Sequence, residues 1–279
     1  MRWKSGRRSS NIEDRRGRKA AAGGGLGLVV VALVVLLLGG DPRALLQMMG
    51  SGSGATGAPA GPPPAEQAEA ADFTSAVLAS TEDVWGEIFA GSGQSYREPR
   101  LILFSGRTSA GACGMGSAAM GPFYCPPNQE VYLDLTFFDD LAGMGGAGDF
   151  AAAYVIGHEV GHHVQNLLGT SDRVRTLQQR SSQADANALS VRLELQADCY
   201  AGVWAAHANQ RSRMLEPGDV DEGLAAAAAI GDDRLLRRAG REVVPEAFTH
   251  GSSAQRQEWL RRGLQTGDPQ SCDTFDGGL

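Results

Sequence analysis

Residues 149–168 read DFAAAYVIGHEVGHHVQNLL, and this stretch decides the fold. Apolar residues recur at helical spacing, and Asp149 can cap a helix that runs through Ala151–Leu168. Within it, His158-Glu159-Val160-Gly161-His162 sets two imidazoles four residues apart. Such residues are neighbours on one helix face, so both rings can reach a single ion. Glu159 stands one position from the first ring, where its carboxylate can act as general base toward a metal-activated water without ligating the ion. Two histidines fall short of the three protein ligands that a catalytic zinc takes. The best source of the third is Glu194 in Glu194-Leu195-Gln196-Ala197-Asp198, on the next long helix, about Ala184–Gln210. Asp198 shares a helix face with Glu194 and can accept the free N–H of a liganding histidine. The expected site is one Zn²⁺ held by His158, His162 and Glu194, with a fourth position open to water.

The other histidines have weaker claims. His163 is turned away from His162 on the helix, and His207 sits in an alanine-rich helix end; both read as structural. His250, in a loop before a helix, is the candidate donor to a developing oxyanion, with Tyr200 a weaker one. Cys199 is an awkward ligand, because a thiolate there would leave Asp198 without a role. Cys113 and Cys125 could close a 13-residue ring, leaving Cys199 with Cys272, although four cysteines allow three pairings.

Around this centre the spacing predicts helices over 72–90, 220–230 and 252–262, and strands over 100–105 and 131–138. The expected fold is α+β, a helix-dominated zincin-like domain with a small sheet, occupying 72–279. Segment 139–148 (DDLAGMGGAG) reads as either a mobile lid or a connector.

The chain of 279 residues has 25 Lys+Arg and 32 Asp+Glu, a net charge of −7, which argues against a nucleic-acid partner. That average hides an asymmetry. Residues 1–19 carry eight basic side chains against Glu13 and Asp14, or +6, so the rest carries −13. Residues 20–40 hold no charge, and a helix of 21 residues covers about the 30 Å of a bilayer core. The positive-inside rule then makes 1–19 a cytoplasmic segment, 20–40 a single membrane anchor and 41–71 a flexible linker, with the domain outside the cytoplasm. A cleaved signal peptide is the alternative. Four cysteines suit export.

The ordered segments MRWKSGRRSSNIEDRRG, GPFYCPPNQEVYLDLTFF, IGHEVGHHVQNLLG, ELQADCYAGVWA, AIGDD, FTHGSSAQRQEW and CDTF resemble those of the bacterial putative neutral zinc metallopeptidase family. The resemblance implies a membrane-anchored zincin with His158, His162 and Glu194 as ligands and Glu159 as base. It would hydrolyse peptide bonds, with the strand 131–138 as the sheet edge that aligns substrate. The alternatives are a catalytically silent zinc-binding scaffold and a zinc amidase acting on cell-wall peptide.

Overall fold

The structure, a computed structural model, describes residues 1–17 and 65–275. Contacts divide the chain into one unit of residues 1–15 with 64–279 and another of residues 16–63. Among the described residues no helix is long and apolar enough to cross a membrane. The expected anchor 20–40 and most of the linker 41–71 lie outside them.

A four-stranded sheet runs in the order β1 (Ile12–Asp14), β2 (Arg100–Phe104), β6 (Glu130–Asp134), β5 (Phe123–Cys125). β1 and β6 flank β2 in parallel, with Leu101 opposite both Ile12 and Val131, and β5 pairs antiparallel with β6. A separate hairpin joins β3 (Arg107–Ser109) to β4 (Met115–Ser117). Alternation along β2 sends Leu101 and Leu103 to the main core and Ile102 and Phe104 to a small cluster with Tyr132 and Cys125.

The helices are α1 (Ala65–Gly91), α2 (Phe137–Gly143), α3 (Asp149–Leu167), α4 (Thr170–Gln178), α5 (Gln183–Ser212), α6 (Asp219–Ala229), α7 (Asp232–Arg238) and α8 (Ser253–Thr266). The main core joins Trp85 of α1, Ile156 and Val160 of α3, and Val203 and Trp204 of α5 to the sheet. Two glycines let the site-bearing helices approach closely. A Cβ on Gly161, inside the HExxH run, would lie 2.9 Å from the Ala197 carbonyl oxygen, and one on Gly263 of α8 only 2.0 Å from that of Cys199. α8 starts on a capping box: Ser252 accepts from the Gln255 N–H, and Gln255 reaches back to the Ser252 N–H.

Several sequence expectations change. Of the expected cytoplasmic segment 1–19, residues 1–15 fall in the same compact unit as the domain expected at 72–279. Arg7 pairs with Glu82 (2.7 Å), Arg8 with Asp72 (2.6 Å), Lys4 with Glu69 (3.2 Å) and Arg2 with Glu216 (3.4 Å). Four of the eight basic side chains of this segment are thus answered by carboxylates of the domain. The strand expected at 131–138 stops at Asp134, whose carboxylate accepts from the Thr136 N–H and hydroxyl and turns the chain into α2. Segment 139–148 holds most of α2, and Arg234 donates to the Met144 carbonyl just beyond that helix. Gly148 caps α3, while Asp149 is its first residue and accepts from the Met1 amino group at 2.7 Å. Both cysteine pairs are disulfides, Cys113–Cys125 and Cys199–Cys272.

Candidate active site

α3 and α5 bring three donor groups together. His158 Nε2 lies 3.1 Å from His162 Nε2, and Glu194 reaches the first at 3.2 Å and the second at 3.3 Å. The tautomers follow from the partners. His158 Nδ1 faces the Asp198 carboxylate at 2.8 Å, an acceptor, so its N–H donates there. His162 Nδ1 faces Gln165 Oε1 at 2.9 Å, while Gln165 Nε2 is committed to the Leu193 carbonyl and Gln196 Oε1. Both Nε2 lone pairs therefore point at one another and at a carboxylate, an arrangement that calls for a cation. Ligands about 2.0–2.1 Å from a tetrahedral zinc stand about 3.3–3.4 Å apart. The three groups fit that ion.

The field has a second signature. Burial pulls the His158 pKa down, but the charge and hydrogen bond of Asp198, with Glu194 adding to them, push it up to about 10. With no metal, a proton answers the same carboxylates; bound metal would displace it. Burial also raises the Glu194 pKa, but His162 and His158 outweigh it and hold the carboxylate well below the usual range. Glu159 is buried, lines the same cleft, and has its pKa raised by burial against the attraction of His158 and His162.

Asp198 is fully buried and saturated. Besides His158 it accepts from the Tyr154 hydroxyl (2.6 Å) and from Arg256 through Nε (2.8 Å) and Nη2 (2.9 Å). Arg256, 2% exposed, comes from α8, so a third helix enters the site. Sequence reasoning missed Tyr154, Gln165 and Arg256. The available signals were Tyr154 one turn before His158, Gln165 one turn after His162, and an arginine four residues before the core residue Leu260.

His250 borders the cleft with its side chain half-exposed, its Nδ1 3.1 Å from Asp232 Oδ1. The other oxygen of Asp232 accepts from the N–H groups of Thr249, His250 and Gly251, which fixes the loop carrying the ring. That hydrogen bond raises the His250 pKa against the opposing effect of burial. Asp232 too was missed. Tyr200 is elsewhere: it is buried in the main core against Trp85, outside the cleft lining. His163 is fully buried between the Tyr124 hydroxyl (2.8 Å) and the Arg97 carbonyl (2.6 Å), and burial pushes its pKa down to about 4. His207 bonds the Gly267 carbonyl. Cys199 is committed to its disulfide. A second carboxylate group, Asp149, Asp219 and Glu222, surrounds the Met1 amino group.

The cleft has a volume of about 1100 Å³. The sheet edge beside it is β5, not the expected 131–138 strand. β6 is paired on both sides, by β2 and β5, whereas among the described residues β5 pairs only with β6, and its Phe123 and Tyr124 line the cleft.

An HExxH helix joined to a glutamate from a neighbouring helix defines a centre of the zinc-peptidase kind. The chain belongs to the family described as "Putative neutral zinc metallopeptidase", which it matches over residues 1–275. It is 49% identical over 289 aligned positions to the uncharacterized protein YpfJ of Escherichia coli K12, covering 99% of each chain. It is 47% identical over 207 positions to the uncharacterized protein Rv2575 of Mycobacterium tuberculosis, covering 70% of this chain and 67% of that one. No solved structure matches significantly.

Proposed function

We propose that this chain hydrolyses peptide bonds as a zinc-dependent peptidase. The observation that carries the reading is the convergence of His158 Nε2, His162 Nε2 and Glu194 at 3.1–3.3 Å, with both Nδ1 atoms already committed to oxygen acceptors. These three residues would hold one zinc ion. When bound, zinc supplies Lewis acidity to the attacking water and the scissile carbonyl. Glu159, buried and raised in pKa, takes the water proton and returns it to the leaving amine. Asp198, clamped by Tyr154 and Arg256, and Gln165 fix the two imidazoles in the tautomer that leaves Nε2 free. His250, held by Asp232, donates to the oxygen on which negative charge develops. The open edge of β5 aligns the substrate as an added strand.

The disulfides support an oxidising, extracytoplasmic compartment for the domain. The β1–β2 pairing supports residues 1–15 sharing that compartment. That pairing stands against a cytoplasmic N-terminus beyond a single crossing, and 20–40 stays the candidate membrane attachment.

The test is Glu159→Gln in the purified full chain. Zinc stoichiometry is expected to persist while peptide hydrolysis falls about 10²–10⁴-fold. Full, chelator-sensitive proteolysis by that variant would overturn the reading.

A further inference from the structure

Five apolar side chains, from α2, α3 and α7 and the ends of α2 and α6, line the cleft together with the proposed base. Val155 of α3 is four residues before Glu159, hence a neighbour of the proposed base on the same helix face. Ile230, at the end of α6, lies between two anchors of the site: its carbonyl accepts from Arg256 at 3.4 Å, and Asp232, two residues on, holds His250. Leu235 is one turn further along α7. Phe137 and Met144, at the two ends of α2, complete the five. Val155 belongs to a buried cluster with Leu141 and Ala226, and Phe137, Met144 and Ile230 pack against that cluster. The Arg234 bond to the Met144 carbonyl ties α7 to the end of α2. The charged Asp139 and Asp140 of α2 and Arg238 of α7 line the same cleft and are exposed, as is Leu235, while Val155 is buried.

From this we infer that the wall of Phe137, Met144, Val155, Ile230 and Leu235 is a specificity subsite that receives a bulky apolar side chain beside the scissile bond. The inference rests on the peptidase reading, and it names the substrate class: polypeptide in an unfolded, extended state. Folded proteins keep Leu, Ile, Phe and Met largely buried, so a site that demands one of them at the cut is served by chains that have lost or not yet gained their fold.

The purified full chain with zinc bound is incubated with a library of unstructured peptides, and cleavage positions are read by mass spectrometry. Leu, Ile, Phe or Met is expected to be enriched at one position next to the cut. Leu235→Asp is then compared with the parent on peptides carrying Phe or Arg at that position. The expected result is a loss of about tenfold or more in kcat/KM for the Phe peptide and a gain for the Arg peptide, a reversal that misfolding cannot produce. A binding measurement needs no turnover. Fluorescence anisotropy with the Glu159→Gln protein should show the Phe peptide bound more tightly than its Ala analogue. Cleavage or binding indifferent to that side chain, or a preference unmoved by Leu235→Asp, overturns the subsite. Absence of all hydrolysis with zinc bound overturns the peptidase reading instead, and the anisotropy still decides the subsite.

Discussion

The N-terminal strap, Met1–Asp14, and the helix pair α3–α5 both depend on charge, but they use it in opposite ways. The strap meets the domain mostly at the surface: Arg7, Arg8 and Arg2 remain 46%, 32% and 58% exposed while paired with carboxylates. Exposed ion pairs contribute about 0–1 kcal/mol each, so the strap is held by their number and by the β1 ladder. At the site the charges are out of water. Arg256 and Asp198 are 2% and 0% exposed, and each has the other as its main electrostatic partner. A buried pair is expensive to break because the survivor is left uncompensated. Many small contacts hold one region, and a few indispensable ones hold the other.

The largest expected effect follows at Arg256. Arg256→Met strands the Asp198 carboxylate, and the loss should be about 3–5 kcal/mol in chemical denaturation. Because Asp198 orients His158, zinc affinity in a competition titration should fall about 10–100-fold. A variant as stable and as tight for zinc as the parent would break the comparison at its stronger end.

A buried contact of the strap gives the next effect. Glu82, 3% exposed, accepts from the Ser9 hydroxyl (2.5 Å), Asn11 Nδ2 (2.9 Å) and Arg7 (2.7 Å). Glu82→Gln removes the charge and turns half of the acceptor into a donor, with an expected cost of about 1–3 kcal/mol. Hydrogen exchange at Ile12–Asp14 should quicken while zinc affinity stays at the parent's value. A fall in zinc affinity would show that strap and site are coupled through the sheet, and the two regions could no longer be treated apart.

This contrast also governs what could be read from the sequence. His158, Glu159 and His162, and Glu194 with Asp198, lie within single helices, where spacing reports which side chains share a face. Their partners come from distant elements. Arg256 is 58 residues from Asp198, and Glu82 is 75 from Arg7, distances at which periodicity carries no information. The reading of 1–19 as a cytoplasmic segment rested on charge alone, and a local run of arginines looks the same whatever answers it, the domain's carboxylates included. Strand edges failed likewise. Val131–Asp134 reads as a strand, but that β5 covers it depends on pairing alone. The short helices Thr170–Gln178 and Asp232–Arg238 are strongly polar, with few apolar residues to mark a period.

Asp232 sits between the two extremes, charged and partly covered at the cleft rim, and should give the smallest effect. Its hydrogen bond raises the His250 pKa above the ordinary 6.5 against the lowering effect of burial, so the ring keeps its proton to higher pH than a free histidine. If the protonated ring is the oxyanion donor, activity declines as pH rises through that raised pKa. Asp232→Asn removes the carboxylate, the pKa drops back, and the alkaline limb of the kcat/KM profile moves to lower pH. On the acidic side of that limb, where the ring is protonated in both proteins, the rates should agree within about tenfold. Removal of the donor itself by His250→Ala should cost about 10²–10³-fold across the profile. The same linkage acts on folding: the pair stabilises the native state below about pH 6.5, and its contribution fades as pH rises through the raised pKa. An Asp232→Asn profile superimposable on the parent's would separate His250 from the chemistry, leaving Asp232 only the work of shaping the 249–251 loop.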